Sequence, residues 1–162
     1  LAPGYEGIYF EGSFNVETVR LGDKILGFHL TLTTNRPFGL QDTKIWEFDL
    51  PDGGTYKLYD DSDEIGYIYA DMTITCLQAG TLKIQNSMDN RIVQITNCSQ
   101  GEVITFKHPI LTSSLVSHKI MDDFNYAFPK IINTYENRTN IFTFSLPCKC
   151  TISYNPIAKV GI

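Results

Sequence analysis

An antiparallel β-sandwich, or an open barrel or cup of the same strands, with one helix near residues 113–128 is the fold that this sequence predicts. Short stretches in which apolar and polar residues alternate recur along most of the chain, at a spacing of about 8 to 12 residues with turn signals between them. Aromatic residues make up 12% of the chain, as ten Phe, nine Tyr and one Trp, and such side chains suit a pleated, half-buried surface. A single segment departs from period two.

The first alternation is IYFEGSFNV, where Ile8, Phe10, Phe14 and Val16 share one face and Tyr9, Glu11, Ser13 and Asn15 the other. LGDK at 21–24 reverses the chain, and Leu26, Phe28, Leu30 and Leu32 line one face of a second strand, so the two form a hairpin. Pro37 and Gly39 interrupt the pattern. KIWEFDL then carries Trp46, Phe48 and Leu50 on one side, and PDGG at 51–54 turns again. TYKLYD and YIYADMTITC form a second hairpin about an acidic turn, and the second strand places Ile68, Ala70, Met72, Ile74 and Cys76 on one face. Strands follow at TLKIQN, RIVQITNC and EVITFKH. From Ser113 to Phe128 the residues Val116, Ile120, Phe124 and Phe128 recur every fourth position, Ser113 or Ser114 can cap the start and Pro129 follows the end, which predicts the helix. NIFTFSL and CKCTISYN return to alternation. The chain has 162 residues, no internal repeat and no linker, so one domain over 1–162 is expected.

The net charge of −5 and the absence of any basic run argue against nucleic acid as a partner. No apolar run approaches the roughly 20 residues of a membrane span. Four cysteines, Cys76, Cys98, Cys148 and Cys150, lack the paired spacing of a zinc site. Two sequons, Asn97-Cys98-Ser99 and Asn137-Arg138-Thr139, match the N-glycosylation acceptor pattern. Together these features predict a secreted, extracellular, disulfide-bonded glycoprotein, and Leu1 in place of Met suggests a trimmed chain. A bridge between residues 148 and 150 would be strained, so Cys76 and Cys98 are each expected to reach into the CKC segment.

The stretch YKLYDDSDEIGYIYA is the first candidate site. It is not an EF-hand, because a loop begun at Asp61 puts Gly66 sixth but Ile65 fifth and Met72 twelfth. A looser cation site at Asp60, Asp61 and Asp63, or a pair of catalytic carboxylates, is a less economical reading than solvated charges on a turn. If Ile68 and Ala70 face the core, Tyr67 and Tyr69 face outward beside the acids. Tyr56, Tyr59, Asp60, Asp61, Asp63, Glu64, Tyr67 and Tyr69 are therefore the candidate binding residues for a protein partner, a basic one in particular.

His29, His108 and His118 share no ligand spacing, G-x-S-x-G is absent, and neither nucleotide-binding glycine motif occurs. No enzyme activity, metal or cofactor is expected. A carrier of lipid in a β-cup is the alternative reading, and a capsid- or coat-like structural subunit a third. SLPCKC at 145–150, preceded by KIMDDFNYAFP at 119–129, is similar to the helix and Leu-Pro-Cys-x-Cys of the GM2-activator type of lipid-binding cup. Those cups carry more cysteines, and no site residue is transferred from them.

Overall fold

The computed structural model describes residues 6–159. The chain is mainly β and builds several antiparallel sheets. A ribbon comes first: β1 (Gly12–Leu21) and β2 (Lys24–Thr34) pair antiparallel. Gly22 at φ +59 and Asp23 form the two-residue turn between Leu21 and Lys24; a positive φ at the first turn position matches the right-handed twist of the two strands. The predicted hairpin is present. Its predicted half-burial is not, because nearly every residue of both strands is exposed.

Below the ribbon, β3 (Gly39–Leu40) re-enters the body, and Leu40 bridges Tyr9. β4 (Lys44–Leu50) turns Trp46, Phe48 and Leu50 toward the core, as their spacing requires. β5 (Gly54–Tyr59), β6 (Gly66–Tyr69) and β7 (Asp71–Cys76) follow, and Met72, Ile74 and Cys76 alternate inward along β7. Then come β8 (Gly80–Asn86), β9 (Ile92–Cys98), β10 (Val103–Lys107) and β11 (Ile110–Ser113). After a helical turn, α1 (Ile120–Asp123), the chain closes with β12 (Lys130–Asn133), β13 (Thr139–Phe144), β14 (Cys148–Tyr154) and β15 (Ile157–Ala158).

Two sheets carry the body. One has the order β11-β10-β7-β14-β4 and the other β5-β13-β8-β9, while β12-β6 and β15-β3 are two-stranded. The inner residues of both larger sheets, among them Ile74, Ile104, Ile152, Leu82, Ile84 and Phe142, belong to one buried cluster. Phe48 of the first sheet meets Phe144 of the second edge to face at 5.7 Å. Two antiparallel sheets sharing a core are consistent with a sandwich.

Two expectations are corrected. The helix over 113–128 is reduced to the four residues of α1. Ser113 pairs with Ile104 as the last residue of β11, Phe124 is extended and bridges Ile95, and Tyr126 takes a positive φ of 57°. Ile120 and Phe124 are buried as their four-residue spacing suggested, but Val116 is fully exposed. Side chains in place of helical hydrogen bonds hold this segment: Asn125 Nδ2 donates to Ile92 O at 2.8 Å, and Asn125 Oδ1 accepts from the Gln94 N–H at 3.0 Å. Asn and Asp offer the backbone such alternatives to a helix. The acidic stretch is also not the turn of a hairpin. β5 pairs with β13 and β6 with β12, so residues 60–65 cross between two sheets.

Candidate functional site

The crossover segment is pinned down by its own polar side chains. Asp60 and Ser62 are buried, each 1% exposed. Asp60 Oδ1 accepts from the Ser62 N–H at 3.2 Å, the Ser62 hydroxyl at 2.9 Å and the Tyr154 hydroxyl at 2.8 Å. The Tyr154 oxygen in turn accepts from the Asp61 N–H at 3.2 Å. Burial is the largest influence on Tyr154 and pushes its phenol pKa up; the neighbouring Asp60 and Asp61 charges push the same way. The Ser62 hydroxyl accepts from the Ile157 N–H at 3.1 Å, and Asn133 Nδ2 donates to the Ser62 carbonyl at 2.8 Å. Asp60 thus belongs to a knot that ties β5, β12, β14 and β15 together, and it is not part of an exposed surface. The remaining acids lie outside the knot but beside lysines: Asp61 is 3.4 Å from Lys44 Nζ and Glu64 is 3.3 Å from Lys159 Nζ. Asp63 Oδ2 accepts from the Lys159 N–H at 3.3 Å. The negative field expected of four free carboxylates is weakened by these contacts.

The tyrosines divide in the same way. Tyr56 is half-buried and stacks on Phe48 with centroids 3.8 Å apart. Tyr59 and Tyr67 are exposed. Tyr69 is half-buried and stacks on His108 at 3.7 Å, and it meets Tyr67 edge to face at 5.5 Å. Lys130, paired with Tyr69 across β12 and β6, places its Nζ 3.9 Å above the Tyr67 ring, a cation–π contact. Tyr67, Tyr69 and His108 line one side of a groove of about 360 Å³ shared with Arg36, Phe38 and Asp71. Of the eight candidate residues, the structure brings Tyr67 and Tyr69 together on this wall, and it assigns Asp60 and Tyr56 to the interior packing.

Sequence spacing missed a second cluster. His118 is 6% exposed in its side chain and lies between two carboxylates, with Nδ1 2.5 Å from Glu102 Oε1 and Nε2 3.2 Å from Asp123 Oδ2. Glu102 is fully buried and also accepts from the Ser113 hydroxyl and the Ser99 N–H. Burial alone would raise the Glu102 pKa, but these hydrogen bonds and His118 together hold it below the usual carboxylate range. Burial would likewise lower His118, and the two carboxylates overcome it and push the imidazole up. Asp123 also accepts from Thr96 at 2.5 Å and from Asn97 Nδ2 at 2.8 Å. His118 Nε2 lies within ion-pair reach of Asp123 but makes no hydrogen bond, whereas the Ser113 and Thr96 hydroxyls are taken up by Glu102 and Asp123. Among the described residues no group of three or more His, Cys, Asp or Glu side chains is placed to hold a metal ion.

The disulfide expectation is corrected. All four cysteines are free thiols, and all are buried. Cys76 and Cys148 are register partners on adjacent strands, while Cys150 lies opposite Ile74. Burial pushes Cys148 up to about 11, which keeps it a thiol at neutral pH. The neighbouring Cys98 thiol and burial push the Cys76 pKa up, whereas Cys98, whose Sγ donates to Ile95 O at 3.6 Å, is lowered by Cys76. The two sequon asparagines are exposed. Asn97 Nδ2 is engaged with Asp123, and Asn137 closes a turn with Thr134. No helix among the described residues is long and apolar enough to cross a membrane.

Comparison with known proteins gives one result. The model of the phage tail C-terminal domain family matches residues 38–154, more than two thirds of the chain and the whole of its two larger sheets. The ribbon lies outside the matched span. No curated protein and no solved structure matches. A chain whose two core sheets fall entirely within that match belongs to the phage tail C-terminal domain family.

Proposed function

We propose that this chain is a non-enzymatic structural module of a phage tail, a β-sandwich that holds position in the assembly through protein contacts. The family match over both core sheets carries the reading, and the packing supports it. The pocket that reaches the core beside Ile84, Val93, Phe128 and Phe142 has a volume of only about 10 Å³, room for about one water. Phe124 and Phe128 of the segment after β11 pack on Phe106. A filled core favours the structural reading over the carrier.

Protein partners fit the exposed side of Tyr59 and Tyr67, which offers rigid area with polar tips. A basic partner has less to recognise than the sequence suggested, since Lys44, Lys159 and Lys130 already sit on the acids and on Tyr67. Four reduced thiols suit folding in a reducing compartment, and oxidative secretion and glycan attachment at Asn97 and Asn137 are no part of the proposal.

Cross-linking mass spectrometry on purified virions tests it. Peptides from residues 38–154 should be recovered in the tail, cross-linked to other tail proteins. Virions that lack the chain would overturn the reading.

A further inference from the structure

The ribbon β1–β2 carries an apolar face that nothing among the described residues covers. In its register Phe14 stands opposite Leu32, Val16 opposite Leu30 and Thr18 opposite Phe28. The five apolar residues among them are 54–65% exposed. The opposite face pairs Ser13 with Thr33, Asn15 with Thr31 and Glu17 with His29, and continues through the exposed Val19 and Leu21 toward the tip, past a register shift between Val19 and Arg20. Away from its tip the ribbon is therefore amphipathic across its thickness: one side suits water and the other does not.

Two physical arguments say that this face is covered in use. An isolated two-stranded ribbon in water is marginal at best. Its apolar face also sets Phe14, Val16, Phe28, Leu30 and Leu32, each more than half exposed, side by side, and a contiguous apolar patch of several hundred Å² on a monomer marks an interaction site.

We propose that the face packs against the same face of a second copy of this chain, so that two ribbons form a small four-stranded sandwich. The area fits, because a stable complex buries about 800 Å² on each partner. The shape fits as well: two identical ribbons of ten and eleven residues match in length and lie face to face about 10 Å apart, as packed sheets do. Charge also permits it. Glu17 and Asp23 are balanced within the ribbon by Arg20 and Lys24, so two acids minus two bases leave it neutral, while the chain as a whole carries −5. Lys24 stands at the tip, and in a two-fold antiparallel arrangement the two tips lie at opposite ends, so the lysines do not meet. The inference rests on the ribbon alone and does not depend on the tail reading.

Analytical ultracentrifugation of the full chain over a concentration series tests it, beside Phe28→Asp and Leu30→Asp. Both substitutions fall on exposed positions, so the melting temperature of the body should be unchanged, and this is measured in parallel. The parent chain should form a dimer, and each variant should weaken it more than about a hundredfold, because a carboxylate would be buried without a partner. A monomer at every concentration would overturn the proposal and give the face to a different polypeptide. So would an assembly other than a dimer, or a dimer that survives both substitutions.

Discussion

His118 Nδ1 lies 2.5 Å from Glu102 Oε1, where Glu102 is sealed from water and His118 nearly so. Glu102 precedes β10 and His118 leads into α1, so the contact staples the irregular segment after β11 to the edge of the five-stranded sheet. Removing one partner leaves the other buried and uncompensated. The variant His118→Gln should lose about 3 kcal/mol in urea unfolding.

The same pair sets a pH window. His118 is raised from its ordinary 6.5, so its contribution is complete below 6.5 and is lost as pH rises through the raised value. Glu102 is lowered from 4.5, so its contribution is complete above 4.5 and is lost as pH falls through the lowered value. Stability should therefore be greatest between about 4.5 and 6.5. Thermal melts of parent and His118→Gln across pH check this: the alkaline decline should be present in the first and absent in the second. Parallel curves above 6.5 would deny His118 its charge.

Tyr154→Phe keeps the ring that stacks on Trp46 at 5.3 Å and deletes only the hydroxyl that donates to Asp60. A buried carboxylate loses one of its three donors at Oδ1, a change worth about 2 kcal/mol. Urea unfolding should show a lower midpoint with an unchanged slope.

Asn140 is fully buried and joins three elements. Its Oδ1 accepts from the Ile132 N–H at 2.8 Å and from Asn86 Nδ2 at 2.7 Å, and its Nδ2 donates to Ile132 O at 2.9 Å. Asn140→Leu strands these groups and should cost about 3 kcal/mol in equilibrium unfolding. Tolerance of leucine would mean that water takes over the bonds.

Four free thiols at 0–3% exposure should resist a thiol reagent. Fewer than one should react in the native protein and all four after unfolding in denaturant. Adding a reductant should leave the melting temperature where it was, whereas a fall would reveal disulfides that form in solution.

Local alternation made most strands legible. The runs ending in Cys76 and Cys98 and the closing CKCTISYN are strands, and Met72, Ile74 and Cys76 point inward as predicted, because period two survives whichever partner a strand takes; the run through Tyr67 is instead split into β6 and β7, in different sheets. Partnership itself was not legible. Residues 56–76 read as a hairpin since adjacent strands commonly pair, yet β5 and β6 find partners in β13 and β12, far along the chain. Asp60 looked solvated for the same reason. Its burial depends on Tyr154, ninety-four residues away, and no local pattern reports that. The helix failed differently: four-residue spacing at Ile120 and Phe124 marks burial but does not require a helix when Asn125 and Asp123 can hold an irregular segment against β9. The ribbon's alternation gave the faces of its paired middle, from Ser13 to Thr18 and from Phe28 to Thr33, missed the register shift at Leu26, and said nothing of what covers the apolar face.

Hydrogen exchange of the purified chain, followed by mass spectrometry at low and high concentration, tests most directly that a closed body carries an interface ribbon. Amides of residues 72–76 and 148–154 should be protected throughout, whereas those of 12–34 should exchange fast when dilute and slow down when concentrated. A ribbon as protected as β7 at the lowest concentration, or one that never slows, would contradict the division between closed body and open interface.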